Sequence, residues 1–330
     1  MAAAILLGLV IALPFLWVVS ASLQTETGIF RRPPSWLPDP VTIDNYGYVF
    51  TGKIPEAYAA RGLLRSTVTQ EAQYLPIGLQ NSVMVATSVV LINLLLGTLA
   101  AYTFARERFR GQAAAFSFIL TSRLLPGMAV AIPTYMIIRQ LGLLDSKTAL
   151  VLIYSAFTLP FTIWVLTLYF RSLPRDYEEA AQVDGCTRFQ ALRHIVLPLA
   201  APGLAAVGAF SFLFSYDEFL FALLTTSSLN SKTVPVMIAT ISVNPDASYT
   251  LIAVGIVLSI IAPIILATIF RRFITSGLVS SLGRACPPAD TSTSPAPGSA
   301  PRPRAVRSRS SSRWARSNSM DRICRSVWMR

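Results

Sequence analysis

The chain of 330 residues is 53% hydrophobic and only 13% charged, with a mean hydropathy of +0.54. An ordinary soluble domain is about 25% charged, so much of this chain must be solvated by lipid rather than water. Its net charge of +12 divides unevenly: residues 285–330 hold nine Arg against two Asp, while residues 1–284 hold nineteen Lys and Arg against fourteen Asp and Glu. The latter excess is ordinary for a membrane protein with basic loops, and no nucleic-acid partner is read from it. Cys186, Cys286 and Cys324 form no C-x-x-C pair, and His194 is the single histidine. No disulfide framework, metal site or His-based triad is implied. The absence of G-x-x-x-x-G-K-[ST] means that this chain carries no P-loop, so ATP-driven work would need another subunit.

About 20 apolar residues cross a bilayer, and six runs reach that scale: 1–23, 79–104, 113–138, 148–170, 203–226 and 249–270. The first has no charge before Glu26. A signal peptide would carry a basic n-region and an apolar core of only about 7–15 residues, so a retained span is expected. The missing basic flank suggests a true start further upstream. Six spans put both termini on one side. The loops on that side hold ten Arg, including Arg106, Arg171 and Arg188, against eight Lys and Arg in the opposite loops. Five of those eight fall in one long segment, where charge bias counts less, so residues 171–202 and both termini are expected on the cytoplasmic side.

The segment 24–77 is Pro-rich and longer than an ordinary connection. It is expected either to cap the outer mouth or meet an external partner, or to be a solvated loop with short helices. Within the third run, Pro126 and Pro133 break the hydrogen-bond ladder and permit a kink. Residues 285–330 are dominated by Pro, Ser, Ala and Arg. They cannot bury enough apolar surface to order themselves, although a basic tail would attract anionic lipid. No function is assigned to them.

Between Asp176 and Pro202 a polar island separates two apolar runs. Asp176 is placed to cap a first short helix, with Glu179 three residues on. Gly185 falls where a helix end favours a left-handed residue. Thr187 and Gln190 have the T-x-x-Q form of a second capping box, and Pro198 ends that helix. Phe189, Leu192 and Val196 recur at helical spacing. Ala180 and Ala181 offer a small surface for close approach, and Glu178 and Glu179 offer charge-assisted contacts to a partner cation. Local features alone also fit an amphipathic hairpin lying on lipid headgroups.

The spacing Glu179-Ala180-Ala181, three residues ending at Asp184, Gly185, nine residues, then Ile195-Val196-Leu197-Pro198 resembles the EAA loop of bacterial ABC importer permeases. Cys186 stands where that family commonly has Ala. The stretch Tyr216-Asp217-Glu218-Phe219-Leu220-Phe221-Ala222-Leu223 resembles the W-N-E-F-L-F-A-L segment of sugar-importer permeases, with Tyr for Trp and Asp for Asn. With R-L-L-P-G at 123–127 and L-G-L-L-D at 141–145, the chain up to about residue 283 is similar to the second permease subunit of the maltose-type carbohydrate uptake-1 family. Related permeases typically stop near there, so the resemblance implies that 285–330 is a readthrough or frameshift extension.

That resemblance implies an all-α, polytopic membrane protein with six transmembrane helices in the ABC importer permease (MetI-like) fold. It implies an ATP-driven importer of a sugar, polyol or small oligosaccharide in a bacterial plasma membrane. The partners implied are a homologous second permease, two copies of a cytoplasmic ATPase that bind the ATP and Mg, an external substrate-binding protein and the surrounding lipid. The chain itself would bind no cofactor and catalyse no covalent chemistry. Glu178, Glu179, Ala180, Ala181, Asp184, Gly185, Phe189, Ile195, Leu197 and Pro198 would meet the ATPase.

Ionisable groups inside the spans are costly and normally face a bundle interior or cavity. Tyr216, Asp217, Glu218 and Arg123 are therefore candidates for the substrate path, with Tyr216 offering an aromatic face and Asp217 accepting hydroxyls. Glu218 has a competing role at a helix break, paired with Arg123 or with backbone groups. The alternatives are an ABC permease for a non-sugar solute, an ion-coupled transporter relaying ions through Arg123, Asp217 and Glu218, and a membrane-bound enzyme, for which no catalytic cluster is present in the sequence.

Overall fold

A computed structural model of the chain describes residues 2–33, 35–53, 71–243 and 248–283. The tail expectation for 285–330 lies outside these residues, as does most of the second half of the segment 24–77. Residues 1–274 form one compact unit; in the second, 275–330, the described part is helical to Gly283. The described residues hold helices and no strands.

In chain order these are α1 (Ala2–Ser22), α2 (Glu26–Ile29), α3 (Asp44–Thr51), α4 (Leu75–Arg106), α5 (Gln112–Ser122), α6 (Gly127–Gln140) and α7 (Lys147–Ser172). There follow α8 (Asp176–Val183), α9 (Arg188–Ala191), a widened π turn (Leu192–Val196), α10 (Leu197–Leu199) and α11 (Ala201–Tyr216). The chain then runs through α12 (Leu220–Thr225), α13 (Val234–Val243) and α14 (Tyr249–Gly283). Among the described residues, three helices are long and apolar enough to cross a membrane unbroken: α4, α7 and the part of α14 from Tyr249 to Arg271.

The α4–α7 pair is the spine. Lipid gives no hydrophobic drive for one helix to pack on another, so close backbone approach and interhelical hydrogen bonds must supply the contact. Gly97, Ala101 and Ala105 fall on one face of α4 at four-residue spacing, all buried. A Cβ on Gly97 would lie 2.4 Å from Cγ2 of Thr162 on α7. One turn away, buried Asn93 donates to Thr158 Oγ1 on α7 at 2.5 Å and to Ser211 Oγ on α11 at 3.1 Å. A single amide thus ties three helices together.

Two expected spans are broken. The run 113–138 was expected to be one kinked helix, but α5 and α6 meet at 97°. Pro126 has no N–H to give and keeps Leu125 out of the helical region, so the ladder stops and restarts at Gly127. Arg123, at the break, donates to the Phe157 carbonyl at 2.7 Å, and its guanidinium lies over Phe161 and Phe214 at 5.7 and 5.4 Å. The run 203–226 is likewise split, because α11 ends at Tyr216 and α12 begins at Leu220. The Glu218 carboxylate accepts from the Phe221 amide at 3.1 Å and the Ala222 amide at 3.4 Å. A side chain that bonds the backbone just beyond itself competes with the helix ladder. α12 packs on α6 and α7, with the Phe221 and Phe157 rings 4.9 Å apart.

α3, in the segment before α4, packs rather than floats. Tyr48 and Val49 of α3 join Leu75, Met237, Ile241, Leu251 and Val254 in a buried cluster over the Leu75 end of α4. At the same end Asp145, with φ +58°, accepts from the Ser227 and Ser228 amides at 2.8 and 2.9 Å and from the Ser231 hydroxyl. Burial pushes its carboxyl up, but these donors together outweigh burial and hold it well below the usual carboxylate range. Its contribution to stability is therefore complete above the unfolded value of about 3.9 and is lost as pH falls through the lower folded value.

Gly97→Leu is expected to force α4 from α7 and lower stability by about 1–3 kcal/mol, seen as a lower unfolding temperature in detergent. Asp145→Asn should lower that temperature at neutral pH, the gap from wild type closing only below about pH 3.9.

Candidate functional site

Between α7 and α11 the chain folds into a polar elbow. α8 opens with Asp176, Glu178 and Glu179 in its first turn, where negative charge complements the positive end of the helix dipole. Asp176 is not the cap expected of it: Arg175 occupies that position and no side chain closes the helix start. Asp176 has instead been taken into the first helical turn.

α8 ends as expected. Gly185 has φ +89° and no heavy atom within 4 Å of where a Cβ would lie. The glycine is thus required by the backbone, since an L side chain in this region is strained, and not by crowding. The Cys186 amide donates back to the Ala181 carbonyl at 2.9 Å. The second capping box also forms: Thr187 Oγ1 accepts from the Gln190 amide at 3.3 Å, and Gln190 Oε1 accepts from the Thr187 amide at 2.8 Å. α9 runs directly into the π turn, and α10 and α11 meet the next bend at 77°.

The two faces of this elbow differ. On the inner face Ala181, Ala191, Leu192, Val196 and Ala200 are buried, and Leu192, Val196 and Ala200 pack with Ala101, Ala105, Leu166 and Phe170 of α4 and α7. The outer face presents Glu179, Ala180, Asp184, Gly185 and Pro198, with Phe189 63% exposed. Ile195 and Leu197 are half-buried between the two. Two expectations therefore change. Ala181 faces inward, so the small outward surface is Ala180 alone. Phe189 is 63% exposed where Leu192 and Val196 are buried, yet with Leu192 it lines an apolar cavity of about 440 Å³ against Leu95 and Leu99 of α4.

Glu178 departs most from expectation. Instead of pointing toward a partner, it accepts from Arg106 Nε at 2.7 Å and Tyr102 Oη at 2.9 Å, and Arg106 Nη2 lies 2.6 Å from its Oε1 as an ion pair. Both charged side chains are under a tenth exposed, at 7% and 8%. Arg106 Nη2 also donates to the Leu173 carbonyl at 3.2 Å. A second pair, Arg188 with Glu107, lies beside it. Arg171 donates to the Phe104 carbonyl at 3.2 Å and Arg175 to the Ala105 carbonyl at 3.5 Å, so cations satisfy the last carbonyls of α4. A polar cavity of about 200 Å³ opens here, with Glu179 and Gln182 on its wall.

Sequence reasoning missed Tyr102, Arg106 and Glu107 as parts of this site. They stand more than 70 residues from their partners, and the only local sign was a cation ending an apolar span.

The four candidates for the substrate path are not brought together as one lining. Tyr216 is 2% exposed, stacks on Phe212 and donates to the Ser259 carbonyl at 2.9 Å, so its ring is helix packing rather than an open aromatic face. Glu218 is used by the α12 amides and not by Arg123, which is held by Phe157 and two rings. Asp217, the residue ending α11, is exposed. No group of three or more His, Cys, Asp or Glu side chains suited to a metal occurs among the described residues.

Residues 93–279 match the family described as binding-protein-dependent transport system inner membrane component. The chain belongs to that family. It is 35% identical over 81% of its length to the sulfoquinovosyl glycerol transport system permease protein SmoH of Agrobacterium fabrum, covering 87% of that protein. It is 31% identical over 84% of its length to the trehalose/maltose transport system permease protein MalG of Thermococcus litoralis, covering 93% of it. A third relative is the trehalose transport system permease protein SugB of Mycobacterium tuberculosis, 34% identical over 81% of this chain and 90% of that one. In fold, the permease superposes with a TM-score of 0.65 on a chain of a bacterial ABC transporter involved in import of the acidic polysaccharide alginate. That likeness covers 83% of this chain and 95% of the other at 22% identity. The protein is thus a multi-pass permease component, and the elbow falls inside the matched region.

Thr187→Ala is expected to remove the box that starts α9 and cost about 1 kcal/mol locally. Hydrogen exchange should show the Gln190 and Ala191 amides of the permease losing protection while those in α4 and α7 keep theirs.

Proposed function

We propose that the permease serves an ATP-driven importer whose cargo is a sugar, polyol or small oligosaccharide, and that the outer face of the elbow receives the ATPase. The observation that carries this is the division of the elbow into two faces. Glu178 and the apolar row are committed to α4 and α7, whereas Glu179, Ala180, Asp184, Gly185 and Phe189 are exposed with a charge, a small surface and a ring. A rigid knob bound on one side only can accept a partner and pass its motion inward. The cargo class rests on relatives named for sulfoquinovosyl glycerol, trehalose/maltose and trehalose, all of them glycosides.

The assembly that follows has this chain beside a second, homologous permease, with two copies of a cytoplasmic ATPase that bind ATP and Mg, and with a substrate-binding protein outside. The elbow and both termini lie in the cytoplasm of a bacterial cell, and anionic lipid surrounds the basic loop ends. The chain supplies no catalytic group; it converts closure of the ATPase pair into opening of a path between the permeases. Along that path Asp217 is the candidate for accepting hydroxyl donors, being exposed at the unwound point between α11 and α12. Helices interrupted at mid-membrane are where transporters commonly place their sites.

The test is the complete transporter in proteoliposomes, with uptake and hydrolysis measured on the same preparation. Glu179→Lys is expected to reduce uptake per ATP at least about tenfold and to abolish stimulation by loaded binding protein, since charge reversal removes a charge-assisted contact. Full stimulation and full uptake in that variant would rule out the docking role. Asp217→Ala should weaken uptake while leaving the ATPase bound; an unaltered uptake rate and affinity would remove Asp217 from the path.

A further inference from the structure

Besides the short link back to α7 through residues 173–175, two routes lead from the elbow into the membrane, and they differ in stiffness. The covalent route runs forward into α11. It passes through the π turn Leu192–Val196, Pro198 and a 77° bend around Ala200. π turns and proline-bearing bends are where a helix ladder is interrupted, so this route is a poor lever. The lateral route crosses from α8 to the end of α4 through the buried Arg106–Glu178 pair, with Tyr102 on the second carboxylate oxygen. Both charges are almost fully removed from water, and two hydrogen bonds plus the close ion pair fix the carboxylate. The Arg171 and Arg175 side chains and the Arg188–Glu107 pair reinforce the same junction. From there α4 is unbroken for 32 residues to Leu75, where it enters the cluster beneath α3.

We propose that Arg106 and Glu178, with Tyr102, form a positioning clamp through which displacement of the elbow drives α4, and that this lateral clamp carries the motion in preference to the covalent path into α11. The proposal rests on reading the elbow as the ATPase dock. Glu178 and Glu179 then have opposite duties although adjacent in sequence. Glu179 faces the partner, and Glu178 turns 100° away around α8 to hold the permease's own helix. The clamp joins residues 72 positions apart, so it exists only when α4 and the elbow are both in place.

The experiment uses the complete transporter reconstituted with its ATPase and binding protein, and reads substrate transported per ATP hydrolysed, together with the amount of ATPase retained on purification. Glu178→Gln and Arg106→Glu are each expected to lower that ratio about tenfold with the ATPase still bound, as expected for losing a buried charge pair. The double reversal Glu178→Arg with Arg106→Glu should recover at least half of it. Tyr102→Phe, which deletes only the hydroxyl, should lower the ratio several-fold in a chain that still inserts. A normal ratio in Glu178→Gln, or in Tyr102→Phe should the charge variants fail to insert, overturns the clamp. Loss of ATPase from the purified complex, with uptake and hydrolysis falling in proportion, also overturns it, since the pair would then serve assembly alone. Glu179→Lys measured alongside separates the two readings. If it uncouples while Glu178→Gln is silent, the dock stands and the clamp falls; if it is silent, the dock itself falls.

Discussion

A carboxylate and a guanidinium, both shut away from water, meet where α4 leaves the apolar layer and the elbow begins. Removing two charges from water costs several kcal/mol per ion, and only good geometry with every remaining donor satisfied offsets it. Here Glu178 accepts one hydrogen bond from Arg106 and one from Tyr102 within a close ion pair, while Arg106 also reaches a backbone carbonyl. The arrangement is demanding, and that makes it specific. It fixes one register between a membrane helix and a polar hairpin that packing alone would leave free to slide.

The surrounding structure supports that junction on both sides. Small residues on α4 let α7 approach within van der Waals contact of the backbone at Gly97. One and two turns further on, at Ala101 and Ala105, the same face receives Leu192, Val196 and Ala200 of the elbow. Most buried hydroxyls inside the bundle bond back to their own helix, as Thr158, Thr162, Thr167 and Ser215 do, while Asn93 cross-links α4 to α7 and α11. The breaks at Pro126 and Glu218 fall in helices that touch where Phe221 meets Gly127, and irregular backbone at membrane depth has to be covered by protein or line a water-filled cavity.

Much of the elbow was legible before any coordinates. Gly185 takes the left-handed conformation its position demanded, and Thr187 with Gln190 closes the capping box, because both are local: each depends on residues within a few positions. The failures share the opposite character. Asp176 lost its capping role because the helix began one residue early. Phe189 stays largely exposed beside buried Leu192 and Val196, because cover at this row comes from α4 and α7 and not from helical spacing alone. Tyr216 read as an open aromatic face and is a buried packing ring, since its fate was set by α14, more than thirty residues away.

The sequence by itself determined that this chain spans a membrane, where its apolar runs lie and that a polar elbow interrupts them. Hydropathy, turn chemistry and motif spacing are properties of short windows. Only the tertiary structure decided which acidic residue faces inward. Glu178 and Glu179 are chemically alike neighbours, and the helical step between them sends one to Arg106 and the other to solvent. The choice belongs to the packing of α8 against α4, which no window containing only the elbow includes.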